Sequence, residues 1–349
     1  MKTKVIRMNP EHIDRDAMEE AGMILKKGGL VAFPTETVYG LGGNALDEEA
    51  AGKIYQAKGR PSDNPLIIHI ADISDLKRIV KEVPEKAEKL AEAYWPGPLT
   101  MIFPKSEEVP YGTTGGMETV AVRMPDHPVA LALIRAGGGY VAAPSANTSG
   151  RPSPTRSSHV EEDLDGKIDM ILDGGEVGIG LESTIVDFTE DIPTILRPGY
   201  INQKMLEKII GPVRMDKGLI SADSKIRPKA PGMKYRHYAP KAELLVVEGK
   251  PQAVQKKIRD LTREKLEAGC RVGIIATDES TFAYPEGIVK SIGTREQEET
   301  IARHLFGVLR EFDDSGVDCI FSEAFDTPQM GQAIMNRLLK AAGQRKIKV

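Results

Sequence analysis

Cysteine is scarce in this sequence: Cys270 and Cys319 stand alone among 349 residues, far apart and outside any Cys-x-x-Cys pattern. A disulfide framework or a cysteine zinc site needs clustered cysteines, so neither is expected. Scarce cysteine is typical of proteins that fold in a reducing compartment. We therefore expect a cytoplasmic protein.

Two further absences limit what the chain binds. No stretch approaches the ~20 apolar residues that span a bilayer, and the N-terminal sequence MKTKVIRMNPEHID has no apolar signal core. We expect no membrane association.

An excess of positive charge is also missing, since 47 Lys and Arg stand against 51 Asp and Glu, a net charge of −4. This balance argues against a protein whose main task is to grip a nucleic-acid backbone, while leaving room for a local basic cleft.

Standard catalytic and phosphate-binding signatures are absent as well. The sequence contains no GxxxxGK[ST], and the glycine-rich segment DGGEVGIGLES at 173–183 lacks the order GxGxxG. It contains no HExxH and no close cluster of His, Asp and Glu. If a nucleotide binds, side chains and irregular loops must hold it.

What the sequence does contain is a succession of alternating strand and helix patterns. In residues 1–211 three short predicted strands follow one another closely, which departs from a simple βαβ repeat and predicts an α/β fold with a twisted mixed sheet. Residues 212–241 are rich in proline and cations and indicate a linker. From 242 to 349 the alternation is regular and predicts a small doubly wound, Rossmann-like domain.

The segment AKGRPSDNPLIIHI at 57–70 places two cations around a glycine at the end of a predicted helix. That helix spans 46–58, with Asp47 as N-cap and Gly59 after its last residue. Lys58 and Arg60 either stabilise the helix C-terminus through its dipole or form a paired clamp for a phosphate or carboxylate. Asn64 adds an amide contact to the second interpretation.

Four other segments concentrate polar groups beside predicted strands, where open α/β sheets bind ligands. They are FPTETVYGLG at 33–42, VRMPDHP at 122–128, AAPSANTSGRPSPT at 142–155, and Glu182-Ser183-Thr184 with Arg197. Structural interpretations remain open for each. The first and third are also compatible with ordinary turns, and Arg123 in an apolar strand needs either a ligand or an internal acid as partner. His69, within an apolar strand, is more often a core residue than a ligand.

The segment YRHYAP at 235–240 gathers two tyrosines, an arginine and a histidine inside the predicted linker. These side chains either close over a ligand or pack against one domain. The chain as a whole offers many cations and hydroxyls but no acid–base pair. That combination favours a reaction catalysed by positioning anions and neutralising their charge, such as nucleotidyl or phosphoryl transfer.

Six motifs, in chain order, closely resemble the threonylcarbamoyl-AMP synthase family in its long two-domain form: FPTETVYGLG, KGRPSDNPL, PSANTSG, ESTIVD, RPG and PGMKYRHYAP. The resemblance covers essentially the whole chain. It implies a YrdC-type catalytic domain at 1–211, a linker at 212–241 that covers the active site, and the Rossmann-like domain at 242–349. It also implies a nucleotidyltransferase that makes threonylcarbamoyl-AMP from L-threonine, bicarbonate or CO2, and ATP, with release of pyrophosphate, for threonylcarbamoyl-adenosine modification of tRNA beside the anticodon.

The resemblance also implies roles for individual residues. Lys58 and Arg60 would be the catalytic pair that neutralises the reacting anions. The L-threonine site would consist of Thr37, His69, Arg123, the Ala143 backbone and Ser183. ATP would be held by Arg60, Asn64, Thr119, Ser145, Asn147, Ser153, Arg197, Tyr235 and His237. Mg²⁺ would bind mainly through the ATP phosphates, with no protein side chain as ligand, and the downstream partners would be the proteins that transfer the threonylcarbamoyl group to tRNA.

Three other functions compete with this interpretation. A module that binds double-stranded RNA through the cationic cleft would show strong, salt-dependent RNA affinity without ATP. A hydrogenase-maturation carbamoyltransferase shares the core domain but needs cysteine-rich zinc modules, which two cysteines cannot supply. Nothing specific favours an unrelated ATP-dependent ligase. For the C-terminal domain, which lacks a phosphate fingerprint, we expect a regulatory or lid-positioning role.

Overall fold

The computed structural model describes residues 2–216 and 237–349. These residues form two compact units. The first unit takes 2–149, 153–178 and 182–216, and the second takes 237–349 together with the short segments 150–152 and 179–181. Within the described part of the chain, no helix has the length and apolar character needed to cross a membrane.

The first unit is built on one mixed sheet. Its strands are β1 (Lys4–Arg7), β2 (Val31–Phe33), β3 (Gly40–Asn44), β4 (Ile67–His69), β5 (Leu99–Pro104), β6 (Thr119–Arg123), β7 (Val141–Ala142), β8 (Met170–Asp173), β9 (Thr184–Asp187), β10 (Thr194–Arg197) and β11 (Arg214–Met215). They lie in the order β1-β8-β2-β3-β7-β4-β6-β5-β9-β10-β11. The sheet contains both parallel pairs, such as β4–β6, and antiparallel pairs, such as β5–β6. The predicted mixed sheet is confirmed.

Helices cover both faces of the sheet. They are α1 (Arg15–Lys26), α2 (Glu48–Lys58), α3 (Leu76–Ile79), α4 (Glu85–Tyr94), α5 (Tyr111–Thr114), α6 (Pro128–Ala136), α7 (Ser157–Leu164) and α8 (Gln203–Ile210). Successive strand residues point to opposite faces. Accordingly, Val31 and Phe33 pack in the cluster that contains Leu25 of α1, while Ala32 packs in the cluster that contains Ile54 of α2.

Both ends of α2 agree with the sequence prediction. Asp47 accepts a hydrogen bond from the Glu49 N–H at 2.9 Å and so caps the helix. Gly59 follows the last residue with φ 61°, a left-handed conformation that glycine adopts without steric cost. This turn fixes where Lys58 and Arg60 leave the helix.

The second unit contains a five-stranded sheet in which neighbouring strands are parallel. Its elements are β12 (Glu243–Glu248), α9 (Pro251–Glu267), β13 (Val272–Ala276), β14 (Ile288–Ser291), α10 (Glu298–Ser315), β15 (Cys319–Glu323), α11 (Gly331–Ala341) and β16 (Lys346–Lys348). The strand order is β14-β13-β15-β12-β16. This arrangement confirms the predicted doubly wound domain.

Two features differ from the sequence prediction. Gly40, Gly42 and Gly43 lie in strand β3, whereas the turn interpretation of segment 33–42 expected a turn there. Close packing explains the need for glycine, since a Cβ at Gly42 would lie 2.8 Å from Val141 Cγ1. Arg214–Met215, at the start of the predicted linker, pair with β10 as strand β11. Most of that linker, 217–236, including Tyr235, lies outside the described residues.

Candidate active site

The register of strands β4, β5 and β6 places three polar side chains in one row. His69 of β4 lies opposite Arg123 of β6, and Arg123 lies opposite Thr100 of β5. Residues directly opposite one another in a sheet point to the same face. Thr100 Oγ1 lies 2.7 Å from Ser183 Oγ, just before β9, and Ser183 Oγ accepts from Arg197 Nη2 at 3.1 Å. The row therefore continues across to β10.

Arg123 is the centre of this row and is buried. Its Nη1 donates to Thr37 Oγ1 at 2.8 Å, and its Nε donates to the Gly97 carbonyl at 3.3 Å. Its Nη2 lies 2.6 Å from Glu36 Oε1. The sequence left open whether a ligand or an internal acid balances this charge, and the structure supplies the internal acid. Glu36, like Thr100, was not among the predicted site residues.

His69 is neutral at physiological pH. Burial, followed by the positive charge of Arg123, lowers the pKa of His69 from 6.5 to about 3. Its Nδ1 lies 3.1 Å from the Ile67 carbonyl, and its ring meets Phe33 edge-on with centroids 6.1 Å apart. An imidazole with so low a pKa is a weak base, so His69 is suited to forming a wall of the site rather than to moving a proton.

Lys58 joins the end of α2 to the PSANTSG segment. The side chain is buried, and its Nζ donates to the Ser145 carbonyl at 2.5 Å and to the Asn147 carbonyl. The Ser149 N–H donates back to the Lys58 carbonyl at 2.8 Å. The ammonium group of Lys58 is therefore not an exposed charge that only caps the helix. It holds the PSANTSG loop in place.

The loop that Lys58 holds is ordered by its own polar side chains. Ser145 Oγ donates to Asn147 Oδ1 at 2.6 Å, and Asn147 Nδ2 donates to the Thr148 carbonyl at 2.8 Å. The Ala146 N–H donates to the Tyr39 carbonyl at 2.8 Å, which ties this loop to the segment that carries Thr37. The two polar loops therefore flank the same part of the sheet.

Arg60 turns toward the start of β4. Its Nε and Nη2 donate to the carbonyls of Asn64 and Pro65 at 3.2 and 3.0 Å. Asn64 is buried, and among the described residues its Oδ1 has no hydrogen-bond partner. Thr119 begins β6, which runs parallel to β4, so it lies at this end of the strand pair and not beside Arg123. The predicted residues thus fall at both ends of the β4–β6 pair.

Three further predicted residues make other contacts. Ser153 Oγ donates to Glu182 Oε1 at 2.6 Å, both buried. The Ala143 N–H donates to the Ile67 carbonyl at 2.9 Å, so this amide is occupied within the sheet. His237 belongs to the second unit, where its ring centroid lies 5.5 Å from that of Tyr238.

Two family models and several relatives match this chain. Residues 23–199 match a family model described as telomere recombination, and residues 201–343 match the model described as threonylcarbamoyl-AMP synthase, C-terminal domain. The chain belongs to the threonylcarbamoyl-AMP synthase family. It is 52% identical to the threonylcarbamoyl-AMP synthase of Bacillus subtilis over 330 residues, which cover 94% of each chain. It is 51% identical to that of Pyrococcus abyssi over 339 residues, which cover 97% of this chain and 98% of the relative.

A solved relative extends this family assignment to the fold. The crystal structure of the Pyrococcus abyssi protein complexed with L-threonine superposes with a TM-score of 0.94 at 50% identity. The match covers 99% of this chain and all of the other. Both units of the present fold are therefore shared with that relative.

Proposed function

We propose that the chain is a nucleotidyltransferase that makes threonylcarbamoyl-AMP from L-threonine, bicarbonate or CO2, and ATP, and releases pyrophosphate. The product would serve the threonylcarbamoyl-adenosine modification of tRNA beside the anticodon. The observation that carries the proposal is the near-complete structural match to a family member solved with L-threonine. The buried row of two guanidinium groups, two hydroxyls and one neutral imidazole supports it, since these groups suit an amino acid.

In this proposal the row around Arg123 is the amino-acid site. The Arg123 guanidinium would take the threonine carboxylate as a bidentate partner, and Thr37 and Ser183 would bind its polar groups. The neutral His69 ring and the Ala143 backbone would form the wall. Because Glu36 Oε1 already lies 2.6 Å from Arg123 Nη2, the incoming carboxylate must share the guanidinium with Glu36 or displace it.

The other end of β4 and β6 would hold the nucleotide. Arg60, Asn64 and Thr119 lie there, and the buried Asn64 Oδ1 is an acceptor that a nucleotide N–H or hydroxyl could satisfy. Further ATP contacts are proposed for Ser145, Asn147, Ser153, Arg197, Tyr235 and His237. The proposals for Tyr235 and His237 rest on the family motif alone.

The proposed chemistry brings two anions together. The threonine amine adds to CO2 and forms a carbamate, and a carbamate oxygen attacks the α-phosphorus of ATP. The bond from that phosphorus to its bridging oxygen breaks, and pyrophosphate leaves with the electron pair. Lys58 and Arg60 would lower the barrier by neutralising charge on both reactants in a site with little water. A cover formed by the 212–241 segment would protect the carbamate and the mixed anhydride from hydrolysis.

Mg²⁺ is expected with ATP and would supply charge neutralisation at its phosphates. No group of three or more His, Cys, Asp or Glu side chains that could hold a metal ion occurs among residues 2–216 and 237–349. In this proposal the metal ion would be bound mainly through the ATP phosphates.

Pyrophosphate release with each substrate omitted in turn tests the proposed reaction. Purified protein is incubated with ATP and Mg²⁺, with and without L-threonine and bicarbonate. Release that requires both supports the synthase. Release that requires neither would mean a different nucleotide enzyme.

A further inference from the structure

The second unit contains a cleft of about 490 Å³ at the carboxyl ends of its central strands. It is lined by the residues that follow β12, β13 and β15 and by the first turns of α9. A volume of this size lies within the range of pockets that bind small molecules. The cleft contains none of the residues proposed for the synthase reaction.

The topology of the sheet singles out this position. From β12 the chain moves through α9 to β13, toward the β14 edge, and from β15 it moves through α11 to β16, toward the opposite edge. Since β12 and β15 are neighbours, the two connections leave adjacent strands in opposite directions. Open α/β sheets bind ligands in the crevice that such a reversal creates.

The lining is rich in carboxylates. Glu323 is buried and accepts from Tyr284 Oη at 2.7 Å and from Arg295 Nη2 at 2.9 Å. Glu248 is paired with Lys346 at 3.2 Å. These two charges are balanced within the protein. Two more carboxylates, Glu279 and Asp326, line the same cleft.

Glu279 is held as an ionised acceptor. Partial burial acts against it, but hydrogen bonds from the hydroxyls of Thr294 and Thr277 and from the Arg295 N–H lower the pKa of Glu279 to about 2. Asp326 and Glu279 are both in exposed positions of the cleft lining. Within residues 2–216 and 237–349, neither carboxylate forms an ion pair. Such carboxylates favour a ligand that donates hydroxyl or amino hydrogens and carries no negative charge.

A phosphate is a poor fit for the same cleft, although the N-terminus of α9 faces it. Pro251 occupies the first position of α9 and removes one of the N–H groups that would bind an anion. Gly249, the glycine before that helix, is required by packing, since a Cβ there would lie 2.3 Å from the Val349 carbonyl oxygen. Glu279 and Asp326 would repel a bound phosphate.

We propose that this cleft binds a nucleoside that carries no phosphate. The ribose hydroxyls would donate to Asp326 and Glu279, as carboxylates bind ribose in other doubly wound domains. The base would lie against the apolar side chains of Val247 and Val254, which also line the cleft. Such a site gives the second unit a ligand of its own, independent of the synthase proposal.

Calorimetry with the full chain tests the site, with adenosine as the probe. ATP and Mg²⁺ are present at saturation, so that the nucleotide site proposed for the first unit is occupied. We expect saturable adenosine binding, at least tenfold weaker binding to the Asp326→Asn and Glu279→Gln variants, and weaker binding of AMP than of adenosine. Asp314→Asn, an exposed aspartate on α10 outside the cleft, is the matched control and should bind like the parent protein.

Three results would overturn the proposal: no saturable binding of adenosine, binding that neither cleft variant weakens, or AMP binding as tightly as adenosine. Thermal unfolding of each variant without ligand checks that lost binding does not come from lost structure. Failure here leaves the synthase proposal intact, because that reaction is measured by pyrophosphate release and uses different residues.

Discussion

At the scale of single residues, the buried pair of Arg123 and Glu36 decides how the proposed threonine site works. The two groups lie 2.6 Å apart, and their side chains are 5% and 14% exposed. Removing one partner of such a pair leaves a buried charge unbalanced, at a cost of about 3–5 kcal/mol. A substitution that tests substrate binding must therefore keep the positive charge at position 123 and change only the geometry of its hydrogen-bond donors.

Arg123→Lys meets that requirement. Lysine keeps the positive charge but lacks the planar fork that binds a carboxylate through two nitrogens. We expect the KM for L-threonine to rise about tenfold to a hundredfold, a loss of about 1.4–2.8 kcal/mol, while the KM for ATP changes little. Arg135→Lys, whose parent Nη2 donates to the Ala71 carbonyl at 3.2 Å, is the matched control. Equal increases in both KM values would contradict a specific threonine role.

His69 makes stability depend on pH. Its folded pKa of about 3 lies below its ordinary value of 6.5, so between these values the unfolded chain binds a proton that the folded chain does not. This contribution to stability is present above pH 6.5 and is lost as pH falls toward 3, at about 1.4 kcal/mol per pH unit. Urea unfolding at pH 7.5, 6 and 5 should show a shallower pH dependence for His69→Gln than for the parent. His12→Gln, at an exposed histidine, controls for loss of an imidazole. Identical slopes for parent and His69→Gln would refute this assignment.

At the scale of elements, helix α2 carries two lysines in different settings. Lys58 Nζ at the C-terminus binds the carbonyls of Ser145 and Asn147. Lys53, in the middle of the same helix, donates to the Gly28 carbonyl at 2.6 Å, away from the proposed site. Lys58→Ala should lower kcat by about two to three orders of magnitude, because it removes both a charge and the anchor of the loop. Lys53→Ala should keep kcat within about twofold. A Lys58→Ala enzyme with unchanged kcat would exclude the clamp.

Strand β3 depends on glycine for a different reason. A Cβ at Gly42 would lie 2.8 Å from Val141 Cγ1 and 3.0 Å from Phe33 Cε1, so Gly42→Ala should lower the free energy of unfolding by about 1–3 kcal/mol. Gly52, inside α2, has no atom within 4 Å of the added Cβ, and Gly52→Ala should be stabilising by up to about 1 kcal/mol. Denaturant unfolding of both variants measures the difference. If both substitutions changed the free energy of unfolding in the same direction, close packing around β3 would not explain why position 42 requires glycine.

The sequence predicted some elements well because their signals are local. Helix α2 is marked by an aspartate cap, first-turn glutamates and a glycine after its end, all adjacent in the chain. The strands of the second unit alternate regularly with helices, which restricts the topology to a few parallel arrangements. In these cases neighbouring residues carry the whole pattern.

Other features depend on residues far apart in the chain. Strand β3 resembles a glycine-rich turn until its neighbours β2 and β7 are in place. Glu36 is one acid among 51, and only the fold brings it to Arg123. Thr100 carried a weak signal, a hydroxyl within an apolar strand, but its contact with Ser183 spans 83 residues. No local pattern identifies such pairs.

At the scale of the whole molecule, the expected weak binding of nucleic acid follows from the net charge of −4. A protein that gripped RNA through many phosphate contacts would bind strongly at low salt and lose affinity steeply as salt rises. We expect no strong, ATP-independent binding of double-stranded RNA at physiological salt. A gel-shift series over several salt concentrations measures it, and tight binding with a steep salt slope would favour the RNA-binding alternative.

In the proposed reaction, this one chain joins L-threonine, the carbon of bicarbonate and AMP. The most direct measurement is mass spectrometry of a reaction that contains ATP, Mg²⁺, L-threonine and carbon-13 bicarbonate. We expect threonylcarbamoyl-AMP that carries the label, formed with pyrophosphate and missing when L-threonine is omitted. A threonine–AMP conjugate without the labelled carbon, or no conjugate at all from folded protein, would contradict it.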